Sequence, residues 1–125
     1  MNRLAAAFVI LALALGTGLT GYFYISLSSR SMIEQLESDR SLTVESGTMS
    51  EERAENIQKE WEKREPFFVA ILPHEELDGV EINIMSLTDY CSQELTEEYI
   101  KALNECINRL KHICESEKPG FKNVF

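Results

Sequence analysis

The residues with the most chemistry to offer sit together as His74-Glu75-Glu76-Leu77-Asp78. The run begins like the HExxH of zinc proteases, where two histidines one helical turn apart hold the metal and the glutamate acts as base. Asp78 stands where the second histidine belongs. His74 and Asp78, at i and i+4, can share a metal only if a third ligand arrives from elsewhere. If two helices pair as an antiparallel hairpin turning near residue 94, His112 falls near the level of Glu76. At about 100° per residue, however, it points roughly 160° away from the centre of its own apolar stripe. The reading that fits best is an exposed first turn whose acids complement the helix dipole. His74 and Asp78 stay as metal candidates without a complete ligand set, and no cofactor is expected.

Other constellations are thinner. Glu75, Glu76, Asp78 and Glu81 are acidic enough for calcium, but carboxylates along one helix do not converge on one ion, and no loop follows the DxDxDG pattern. There is no GxSxG elbow, no cysteine in phase with a histidine, and no glycine-rich phosphate loop. No enzymatic activity is expected. Trp61, Phe67 and Phe68 suit core anchoring better than a ligand pocket, since Trp61 and Phe68 recur at helical spacing.

Cys91, Cys106 and Cys114 are an odd set. On one helix Cys106 and Cys114 are separated by about 12 Å of rise, and the hairpin register leaves Cys91 about 13 Å from Cys106 along the axis. Neither separation admits a disulfide. Buried thiols acting as small hydrophobes are favoured, with an intermolecular Cys91 bridge as the alternative.

The elements that carry these residues begin with an unbroken apolar run. From Leu4 to Leu27 there is no charge, and a run of ~20 apolar residues spans a bilayer core. A cleaved signal peptide is the competitor, with Ala12-Leu13-Ala14 as a cleavage triplet, but signal cores run only about 7–15 residues. This run continues through Tyr22, Phe23 and Tyr24, aromatics suited to a bilayer interface. An uncleaved anchor is favoured. Arg3 and the amino group precede the run, whereas Arg30 is offset by Glu34 and Glu37, so the N-terminus is expected in the cytoplasm and residues 28–125 outside. Gly16, Gly18 and Gly21 leave a self-associating span open.

Beyond residue 27 stand eleven basic and twenty-one acidic side chains, a net charge of −10. That balance disfavours nucleic acid and anionic surfaces and keeps a small helical domain soluble. Residues 1–28 are expected as the anchor, 29–47 as a polar stalk, and 48–125 as an acidic helical domain. Thr48 with Glu51 forms a capping box. Ala54, Ile57, Trp61, Phe68 and Leu72 then form one stripe, which Pro66 is expected to kink. Pro73 suits the first turn of the next helix. There Leu77, Val80, Ile84, Leu87 and Cys91 make a heptad-like seam, with Ile82 and Met85 as a second apolar edge for another neighbour. Thr96 is expected to cap a last helix faced by Tyr99, Ile100, Leu103, Cys106, Ile107, Leu110, Ile113 and Cys114. Pro119-Gly120 ends it, and the apolar tail Phe121–Phe125 is expected to fold back. The fold class is all-α: a transmembrane helix, a short stalk and a small antiparallel three-helix bundle.

Trp61, His74, Glu75, Glu76, Asp78, Glu81, Ile113, Glu115, Glu117 and Asn123-Val124-Phe125 together resemble a bacterial family of small anchored proteins, domain-of-unknown-function family 4363. The resemblance covers nearly the whole chain. It implies an all-helical outer domain and a membrane anchor, and it supplies no activity, substrate or cofactor. It also implies a structural or functional demand on Trp61, His74, Glu75, Asp78 and Asn123. Pro66 and Pro73 depart from the more continuous helix that the family resembles there. The leading expectation is a non-enzymatic envelope module that contacts an envelope protein or a second copy of itself. The alternative is a ligand- or metal-sensing extracytoplasmic domain using His74 and Asp78, responsive near neutral pH where histidine side chains titrate.

Overall fold

The computed structural model describes residues 2–116. Among these residues the chain is wholly helical: α1 Asn2–Ser46, α2 Glu51–Ile71, α3 His74–Ser92 and α4 Thr96–Ser116. The apolar run lies within α1 and forms a candidate span whose most apolar stretch is entirely exposed. The Pro119-Gly120 stop, the Phe121–Phe125 tail, Glu117 and Asn123 lie outside the described residues.

The expected stalk is replaced by something different. Alpha helix α1 does not loosen after residue 28; it continues to Ser46 and buries Ile25, Ser29, Met32, Ile33, Leu36, Asp39 and Thr43 against the rest of the chain. Residues 25, 29, 32, 36, 39 and 43 step by four and three, which is a heptad seam. The bundle therefore has four walls rather than three. Helix α1 packs on α2 and α4, and α3 packs on the same two; among the described residues the diagonals α1–α3 and α2–α4 do not pack. Short connections make successive helices antiparallel, giving an up-down-up-down bundle.

Each of the other walls supplies its own seam. Ala54, Ile57, Trp61 and Phe68 of α2, Leu77, Val80, Ile84 and Leu87 of α3, and Tyr99, Leu103, Cys106, Leu110 and Ile113 of α4 are all buried in one core. Cys91 is only half-buried and packs at the edge of that core. Ile82 and Met85 do not form a second contact edge; they are exposed, at 66% and 47%. The neighbours of α3 are served by its single seam.

The connections correct several local expectations. Gly47, at φ +71°, ends α1, and its N–H donates to the Thr43 carbonyl at 2.8 Å. Ser50, not Thr48, caps α2: its Oγ accepts from the Arg53 N–H at 3.2 Å. Thr48 stays in the loop, where it bonds to the hydroxyl of Ser46. Helix α2 runs through Pro66 without ending there. Pro73 takes the N-cap position of α3 instead of its first turn. Thr96 is already helical, and the carbonyl of Leu95 before it accepts from the Tyr99 N–H at 3.0 Å. The hairpin between α3 and α4 turns at Glu94, φ 57°.

Candidate functional site

The five-residue motif opens α3 at one end of the bundle. His74, Glu75 and Asp78 are exposed, Leu77 is buried in the core, and Glu76 is half-buried with one carboxylate oxygen lacking a protein partner among the described residues. His112 is exposed on α4. No group of three potential metal ligands converges among the described residues. Trp61 sits in the core with its ring centroid 5.5 Å from that of Phe68.

A polar cluster buried near the other end of the bundle was not legible in the sequence. Asp39 is 2% exposed. Its Oδ1 accepts from Arg53 Nε at 2.6 Å, and its Oδ2 accepts from the hydroxyl of Tyr99, itself fully buried. Thr43 Oγ1 lies 3.5 Å from Oδ1, one turn further along α1. Burial, then the Asp39 carboxylate, holds the Tyr99 phenol far above the ordinary tyrosine range. The Ser50 cap sets the register that brings Arg53 back to α1. The cluster thus joins α1, α2 and α4 at one point. Arg40 Nη1, which donates to Asn104 Oδ1 at 2.8 Å, adds a second polar link between α1 and α4. These bonds satisfy the charge internally, so the cluster reads as a fastener that fixes helix register.

All three cysteines are free thiols. Burial pushes the Cys106 thiol up to about 12, and burial also raises that of Cys91. Neither has the depressed pKa of a nucleophile.

At the motif end of the bundle, α2 descends beside the candidate span. The ring of Phe67 lies on that of Tyr24, centroids 4.1 Å apart. A Cβ built on Gly21 would meet Ile71 Cδ1 at 3.6 Å, ordinary van der Waals contact. Between them runs an open groove of about 1040 Å³, lined mainly by apolar side chains of α1 and by Phe67, Ala70 and Ile71. Phe67, Val69 and Ile71 are exposed. The sequence signal for this corner was the uncharged stretch from Pro66 to Pro73, which reads as core until its position beside the span is known.

These features define an all-helical protein whose candidate membrane span is the lower half of a bundle helix. Residues 19–124 match the model of a domain of unknown function, DUF4363, and the chain belongs to that family. No curated protein and no solved structure matches it.

Proposed function

We propose that this protein is a non-enzymatic, single-pass membrane module of the bacterial cell envelope, which holds its acidic bundle against the membrane to contact an envelope protein or a second copy of itself. Its N-terminus lies in the cytoplasm and its bundle outside, following the basic residues that flank the span. The observation that supports this reading most is the continuity of α1. The helix that is apolar enough to cross a bilayer passes into the bundle without a break and supplies one of its four walls. A flexible tether would let the domain roam; a shared helix fixes its height and orientation. The exposed apolar residues of the outer face of α3, Ile82 and Met85, lie on the surface offered to a partner.

Alkaline carbonate extraction of membranes is the direct test of anchoring, with the protein expected to stay in the pellet. A C-terminal reporter enzyme that works only outside the cytoplasm is expected to be active. Cross-linking in intact cells followed by detergent purification is expected to recover a defined envelope protein or a homo-oligomer. A freely soluble chain, or a partnerless monomer, overturns the proposal.

A further inference from the structure

With α1 as the proposed span, the corner between α2 and α3 falls at the depth of the lipid. The distance along α1 decides this. Leu4 is the first residue after the last charge before the span, and Gly21 lies 17 residues further on, about 25 Å at helical rise. The hydrocarbon core of a bilayer is ~30 Å thick. Ile71, whose Cδ1 would meet a Cβ on Gly21 at 3.6 Å, therefore falls at hydrocarbon depth, and Phe67 against Tyr24 at its boundary. The calculation holds for either orientation of the span.

The local sequence matches that depth. Pro66-Phe67-Phe68-Val69-Ala70-Ile71-Leu72-Pro73 has no charge, and it is bracketed by Arg64 and Glu65 before and by His74, Glu75 and Glu76 after. Three of its large side chains, Phe67, Val69 and Ile71, are exposed at 52%, 38% and 44%, although the same helices bury their apolar seams elsewhere. Within the stretch the Leu72 N–H donates to the Phe68 carbonyl at 2.7 Å, and both prolines lack an N–H. The exposed apolar side chains of this corner are suited to a lipid environment.

We propose that the α2–α3 corner is a membrane-inserted wedge, with Phe67, Val69 and Ile71 solvated by lipid and the groove between Leu13, Thr17, Gly21, Phe67, Ala70 and Ile71 filled by acyl chain. This rests on the anchor proposed above. Lipid is the occupant because the groove is continuous with the exposed surface of the span and shares its depth. The wedge gives the bundle a second attachment beside α1, which stops it pivoting about the span.

The full-length protein, reconstituted into phosphatidylcholine vesicles brominated near the top of the acyl chains and, separately, near their ends, tests this through tryptophan fluorescence. Separate variants place a probe at the corner (Ile71→Trp and Phe67→Trp), in the span (Leu13→Trp) and on the outer face of α3 (Ile82→Trp), each measured over the wild-type baseline of buried Trp61. Circular dichroism checks that each variant is helical. If Ile71→Trp does not fold, Phe67→Trp carries the test, since that side chain is more than half exposed. The expected result is that brominated lipid quenches the corner and span probes several-fold more than the α3 probe. Quenching of Leu13→Trp with the corner probes no more quenched than Ile82→Trp overturns the wedge and leaves the anchor standing. Corner probes shielded from both lipid and aqueous acrylamide show a protein partner on the corner, and that also overturns it. If Leu13→Trp itself escapes quenching, the anchor fails and the wedge falls with it.

Discussion

The hydroxyl of Tyr99 donates to the carboxylate of Asp39 across sixty residues of chain, and both side chains are closed off from water. Arg53 closes the same carboxylate from a third helix. A buried charge held this way is costly to orphan. Asp39→Ala is expected to lower unfolding free energy by about 2–3 kcal/mol, discounted because Arg53 is a third exposed and regains water. Tyr99→Phe is expected to cost about 1.5 kcal/mol, the scale of a hydrogen bond to a charged group. Denaturant titration of the detergent-solubilised protein measures both; a neutral Asp39→Ala would remove the fastener from the fold.

Alkaline pH should weaken the fold through the same tyrosine. Its pKa is raised in the folded state, so its contribution is complete below the ordinary value of 10.0 and is lost as pH rises beyond it. The unfolded chain releases that proton first and is favoured by up to about 1.4 kcal/mol per pH unit. Cys106 acts in the same direction from 9.0 up to about 12. Thermal melts between pH 8 and 11 are expected to show a falling midpoint, with a shallower fall in Tyr99→Phe and in Cys106→Ala.

Thiol labelling separates the three cysteines. Cys91 and Cys114 are half-buried, whereas Cys106 is fully buried in the core. An aromatic disulfide reagent at neutral pH is expected to modify two thiols and to reach the third only with denaturant. Rapid reaction of Cys106 would place α4 in a different register.

Three backbone positions have opposite signs. Gly47→Ala is expected to destabilise by about 1 kcal/mol, because a Cβ is strained at the positive φ that ends α1. Glu94 holds the same region of φ without being glycine, so Glu94→Gly is expected to gain about 0.5 kcal/mol. Gly79 lies inside α3, and the nearest atoms to a Cβ there belong to the guanidinium of Arg109, the far end of an exposed, flexible side chain. Once Arg109 swings aside, Gly79→Ala is expected to gain up to about 1 kcal/mol in helix propensity. Melting temperatures order the three variants.

The amino-acid sequence by itself determined the helices and most of their inward faces. Local periodicity is enough for that, so Leu77, Val80, Ile84 and Leu87, or Leu103, Cys106 and Leu110, announce a seam without any partner in view. It also determined the candidate span, since length and apolarity are properties of one segment. Tertiary structure alone decided that residues 29–46 form a wall of the bundle. Half of that seam is Ser29, Asp39 and Thr43, polar residues that look solvated along the chain; Asp39 is accommodated in the interior by Arg53 and Tyr99, which reach it from other helices. The corner from Pro66 to Pro73 was equally hidden: its apolar residues look like core until α2 is laid beside Gly21 and Tyr24. In both cases hydropathy along the chain fixed the character of the side chains, and only the packing of distant helices fixed what surrounds them.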